Sequence, residues 1–273
     1  MPAIKNILAV IGDVKSGRTI LQGTLDAARH LQSHVDVLHV RPDPVTSLPM
    51  VSEAMSGNMA EEMMAVAERE SAARAKELRG LFDRLSGDVA MSWIEDSGVE
   101  GQVLAVRACR ADMIVLGRPT AENEAAALMT LNAGLMQSGR PVLMVPATGP
   151  LSFKHVAVFW NGSPEATRAV TAGLAFLTSA GTVTVLRVEE EEWFAPTEDL
   201  EAFFAHHGIS IAVVKVMPRS GGTGAALLAA AVEAGADMMV MGAYTRSKLR
   251  QLILGSVTGY VVQNAGMPVL LSH

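Results

Sequence analysis

Gly242, Thr245, Gly255 and Ser256 carry the clearest chemical signal in the sequence. Gly242 closes the apolar run "DMMVMG". Thirteen residues later Gly255-Ser256 opens another apolar segment, with Arg246, Lys248 and Arg250 between them. A helix starting at Ser256 would present free N–H groups and partial positive charge, and both attract phosphate. Glycine lets a backbone approach a ligand closely, and a serine hydroxyl adds one more donor. The same spacing also suits a plain strand-to-helix connection, with glycines for turning and basic residues for solubility. The residues alone leave both readings open.

The elements that would position these residues emerge from an internal repeat. "RADMIVLG" (Arg110 to Gly117) resembles "GADMMVMG" (Gly235 to Gly242). "GRPVLMVP" (Gly139 to Pro146) resembles "GMPVLLSH" (Gly266 to His273), and "KNILAVIGD" (Lys5 to Asp13) resembles "KHVAVFWNG" (Lys154 to Gly162). Three matches in the same order imply a duplicated domain. The expected bounds are residues 1–147 and 152–273, with "PATGPLS" as the linker. Each half alternates short apolar runs with helical patterns, which predicts an α/β fold with five parallel strands per half and helices on both faces. In the second half the strands are Val156–Trp160, "TVTVLRV", "ISIAVVKV", "DMMVMG" and "PVLLS". Ser163 should cap the helix that begins at Pro164, Gly208 should end the next, and another should run from about Ser256 to Asn264. In the first half the second helix is expected from about Ala60 to Leu85, after a loop in "RPDPVTSLPMVSEAMSGN".

With these elements in place, the pattern of Gly242, Thr245, nine intervening residues, Gly255 and Ser256 resembles the G-x-x-G-x9-G-[S/T] signature of the universal stress protein family. The resemblance spans nearly the whole chain and implies a tandem two-domain member, with two Rossmann-like (adenine nucleotide alpha hydrolase-like) domains. It implies ATP, with Mg accompanying the nucleotide, in the second half. Adenine would meet Asn161, where the family commonly has aspartate, and the backbone at Val188. The phosphates would meet Gly242, Thr245, Gly255, Ser256 and Val257. Thr245 stands where the family has its second glycine, and "EEEE", Glu189 to Glu192, follows Val188 and is read as a solvated loop. The first half keeps Gly117 and Asp13 but has no Gly-Ser pair. Counting from either side puts Thr130 and Leu131, or Leu128 and Met129, at that place, and Glu122 and Glu124 would repel a triphosphate. The expectation is weak ATP binding there, or none. The resemblance also implies pairing of the halves through their last strands as an intramolecular pseudo-dimer, with a homodimer as a further step.

The bulk numbers narrow the classes. The chain has 273 residues, 49% hydrophobic and 18% charged, enough for a packed core. A net charge of −6 argues against a nucleic-acid coat. No apolar run suits a membrane span, and a single cysteine fits a reducing, cytoplasmic setting. No general base stands out near Ser256, so turnover of ATP would be slow at most. The alternative function is a scaffold that binds a protein or an apolar ligand without nucleotide. Other signals have structural readings: Cys109 as core, His30 and His34 on diverging elements, His206-His207 at a helix end. "SGGTGAA" reads as a helix start at the sheet edge, and Met59, Met63 and Met64 as a packing face.

Overall fold

The computed structural model describes residues 4–43, 57–147, 149–188, 197–217, 221–244 and 256–273. In the first half β1 (Asn6–Val10), α1 (Val14–Leu31), β2 (His34–Arg41), α2 (Gly57–Leu85) and β3 (Met91–Ser97) are followed by α3 (Glu100–Arg107), β4 (Met113–Gly117), α4 (Glu124–Gln137) and β5 (Val142–Val145). The second half repeats this order with β6 (His155–Phe159), α5 (Pro164–Leu177), β7 (Thr182–Val188), α6 (Thr197–His206) and β8 (Ile211–Val216). It continues with α7 (Thr223–Glu233), β9 (Met238–Gly242), α8 (Ser256–Asn264) and β10 (Val269–Ser272).

The strands form one sheet in the order β3-β2-β1-β4-β5-β10-β9-β6-β7-β8. Pairing is parallel within each half and antiparallel only where β5 meets β10, with Leu143 opposite Leu270. The strands buried on both faces are nearly continuous apolar runs, as parallel strands between helix layers must be. Alternate residues feed two cores. Ile7 and Ala9 point to the side of α1, α2, α5 and α6, whereas Leu8 and Val10 point to α3, α4, α7 and α8. Each core runs through both halves, so the seam is not a break in packing.

Local chemistry sets the helix ends as the sequence indicates. Ser163 accepts a hydrogen bond from the Ala166 N–H at 3.1 Å, with Pro164 in the first turn of α5. Gly208, φ 71°, stops the chain after α6, and α8 starts at Ser256. The linker is held down, because the Leu151 N–H donates to Asp26 at 3.0 Å and Phe153 is buried. β8 lies at the sheet edge, as its position in the chain predicts.

Some expectations are corrected. Cys109 is exposed, in a short 3-10 turn (Ala108–Arg110) rather than a core helix. Met59 and Met63 are 54% and 41% exposed, so the start of α2 does not use them as a packing face. Helix α2 starts three residues earlier than its periodicity indicated, at Gly57. Residues 44–56, where most of the expected loop falls, the acidic run Glu189–Glu192 and the basic residues Arg246, Lys248 and Arg250 lie outside the described residues. Among the described residues no helix is long and apolar enough to cross a membrane.

Candidate functional site

In an open parallel sheet a crevice forms where neighbouring strands send their connections to opposite faces. β6 and β9 are such neighbours, with Phe159 opposite Met241. β6 leads to α5 in one core layer, and β9 leads to α8 in the other. β7 lies on the far side of β6. The carboxyl ends of these three strands therefore bring Asn161, Val188 and Gly242 to one edge. Helix α8 starts at that edge, because it must return the chain to the beginning of β10.

Each residue is held by a local feature. The Asn161 side-chain oxygen accepts from the Ser163 N–H at 3.1 Å, which leaves one lone pair for a ligand. Val188 is buried and pairs with Val216 on β8. A Cβ on Gly242 would lie 2.7 Å from the Ala166 nitrogen and the Glu165 carbonyl carbon. Glycine here is thus required by the first turn of α5 pressing on the end of β9, a reason apart from phosphate. Glu165 in that turn is buried and paired with Arg168 at 3.1 Å. Val257, in the first turn of α8, packs against the core. Thr245 and Gly255 lie outside the described residues, and for Ser256 only its place at the helix start is described.

Sequence reasoning missed Tyr244. Its φ is 57°, a left-handed backbone unusual for a residue with a side chain. The ring is buried, and its hydroxyl donates to the Asn132 side-chain oxygen on α4 of the other half. Burial pushes its pKa up to about 12. The chain is thereby pinned to the first half one residue before Thr245. The signal available in the sequence was a large aromatic where a turn would favour glycine.

The corresponding end of the first half is built differently. Asp13 caps α1, accepting from the Ser16 N–H at 2.9 Å and from its hydroxyl. Glu122 pairs with Lys15 at 3.3 Å, both highly exposed, and Glu124 accepts from Gln263 of α8 at 2.8 Å. Leu128, Met129, Thr130 and Leu131, the positions found by counting, lie inside α4 and not at its start. A cavity of about 310 Å³ opens beside Asp13, Lys15, Gly117, Arg118, Glu122 and Val145. Arg118 also went unnoticed in the sequence; its guanidinium donates to the Ala265 carbonyl just beyond α8.

The histidines serve packing and hydrogen bonding. His30 stacks on Phe176, with centroids 5.8 Å apart, and bonds to Ser179 at 2.7 Å, joining the two halves. His34 lies on β2 beside Asp36 and Ser92.

The sequence model described as "Universal stress protein family" matches residues 3–146 and again residues 152–273. Among solved structures, a universal stress protein from Archaeoglobus fulgidus DSM 4304 superposes with a TM-score of 0.67 at 15% identity, over 97% of this chain and 95% of that one. A protein of unknown function from Pseudomonas aeruginosa PAO1 superposes with a TM-score of 0.58 at 17% identity, over 99% and 92%. A universal stress protein solved in complex with cAMP aligns with 44% of this chain and 97% of its own, at 22% identity and a TM-score of 0.32. Among curated proteins none matches significantly.

Proposed function

The chain belongs to the universal stress protein family, and from that premise we propose that its second half binds ATP and that the protein acts as a nucleotide-responsive stress protein of the cytoplasm. The observation that carries this reading is the common edge of β7, β6 and β9, where Asn161, Val188 and Gly242 meet at the reversal of chain direction. Adenine would lie against Asn161 and the Val188 backbone. The phosphates, with Mg, would follow Gly242, Thr245, Gly255, Ser256 and Val257 to the N-terminus of α8. In the sequence no general base stands out near Ser256, so the reading is of a signalling role with slow hydrolysis at most.

A second reading, a scaffold that uses no nucleotide, is favoured by Gly242, whose lack of a side chain is already explained by α5. Exposed Met59 and Met63 on α2 would then offer contacts to a protein partner. Calorimetric titration of nucleotide-free protein with Mg-ATP separates the two. Binding near one equivalent, lost in Gly255→Asp, supports the first; a folded protein that ignores millimolar ATP supports the second.

A further inference from the structure

The two halves differ where their first two helices meet. Counted from their caps, Asp13 and Ser163, Gly17 of α1 and Thr167 of α5 hold the same place, as do Leu21 and Thr171 one turn later. In the first half a Cβ on Gly17 would lie 3.3 Å from Leu78 and 3.6 Å from Leu81 of α2, so the helices pack closely there. Leu21, Leu78 and Leu81 are fully buried. In the second half the two threonines are exposed, and a cavity of about 170 Å³ opens between α5 and α6. Val170, Leu200 and Phe203 give it apolar walls, and Trp160 borders it just beyond β6. The indole N–H of Trp160 is buried without a partner among the described residues, so the ring presents carbon to the cavity. Asp199 is the one charged residue among the described residues that line the cavity. It stands on α6 one turn before Phe203, so the two share a face. It makes no hydrogen bond or ion pair with another described residue. Arg168, the neighbouring cation in α5, is held by Glu165 at 3.1 Å. The hydroxyls of Thr167 and Thr171 donate to the Ser163 and Thr167 carbonyls at 3.1 and 3.0 Å, so they offer a ligand only lone pairs.

We propose that this cavity binds a small organic cation, an alkylated ammonium, with its hydrocarbon against Val170, Leu200 and the two rings and its charge toward Asp199. The volume is below that of drug-sized ligand sites, which limits the occupant to a few heavy atoms. Hydrocarbon walls cannot replace the shell of a strongly hydrated ion, whereas alkyl groups need none, and aromatic rings attract such cations. The site is distinct from the nucleotide position proposed above, because none of Asn161, Val188 and Gly242 lines it. It does not depend on nucleotide binding elsewhere.

The test is calorimetric titration of the full chain at low salt with choline, beside its neutral isostere neohexyl alcohol, which has carbon in place of the nitrogen. Choline should bind saturably, and the alcohol, which lacks the charge, should bind at least about fivefold more weakly. Asp199→Asn should weaken choline by about threefold or more and leave the alcohol unaffected, with partial recovery in Asp199→Glu. Thr171→Phe, which fills the cavity from an exposed position, should abolish choline binding while leaving the thermal midpoint unchanged. Gly255→Asp should leave choline binding intact, so that this proposal and the nucleotide reading fail separately. Equal binding of choline and the alcohol, no saturable choline binding, or choline binding unaltered in Asp199→Asn or in Thr171→Phe would each overturn the assignment.

Discussion

The hydroxyl of Tyr244, at the end of the second half's fourth strand, donates a hydrogen bond to Asn132 on α4 of the first half. Arg118, one residue beyond the first half's fourth strand, donates in turn to the carbonyl of Ala265 beyond α8. The two strand-end segments thus each reach across the pseudo-two-fold seam. A segment bordering the proposed nucleotide site is tied to one half, and a segment lining the first-half cavity is tied to the other.

Tyr244→Phe should cost about 1 kcal/mol, since it removes the donor and leaves the Asn132 oxygen without its partner. Asn132→Ala should cost a similar amount. The double variant should lose less than the sum, as contacting residues do. Urea unfolding of the four proteins measures this coupling, and strict additivity would count against the tie.

The same tyrosine predicts an alkaline limit. Its folded pKa is raised to about 12, above the ordinary value of 10.0. The unfolded chain therefore releases the proton first. Tyr244's contribution is fully present below pH 10 and is lost as pH rises toward 12. Ultraviolet titration should show one of the chain's two tyrosines ionising late, and Tyr244→Phe should remove that late component.

His30 sets an acid limit by the opposite arrangement. Its burial favours the neutral ring, and its pKa is lowered below 6.5. The unfolded chain then takes up the proton first as pH falls. The contribution is complete above about pH 6.5 and declines as pH drops toward the folded value. His30→Gln should flatten the fall in thermal midpoint between pH 7 and 5.

The seam itself is tested at Leu143 and Leu270, opposite one another and fully buried. Either change to alanine should cost about 2–5 kcal/mol, because it leaves a cavity in a core shared by both halves. One cooperative unfolding transition is expected in each variant. Two separated calorimetric transitions would mean that the halves are independent units.

Gly242→Ala should destabilise by about 1–3 kcal/mol, because the added carbon meets the backbone of Glu165 and Ala166. Gly266→Ala, with open space around its Cβ, is the control and should change little. A Gly242→Ala protein of unchanged stability would remove the packing explanation for this glycine.

The sequence determined the duplication, the alternation of strands and helices, and some of the helix ends. These depend on short-range chemistry: apolar runs long enough for a doubly covered strand, Ser163 before Pro164, Gly208 after a helical segment. It also pointed to Gly242 at a strand end, and the family resemblance added Asn161 and Val188 at the ends of two neighbouring strands. Only the tertiary structure decided what each residue does there. Gly242 answers to a helix distant in sequence, Tyr244 to a side chain of the other half, and Glu122 to Lys15 across a cavity. Cys109, Met59 and Met63 turned outward against their hydrophobicity. Periodicity and local propensity report which face a residue shares with its neighbours along the chain. They carry no information about which distant element arrives to cover that face, and here that decides the contacts of Arg118, Tyr244 and Gly242.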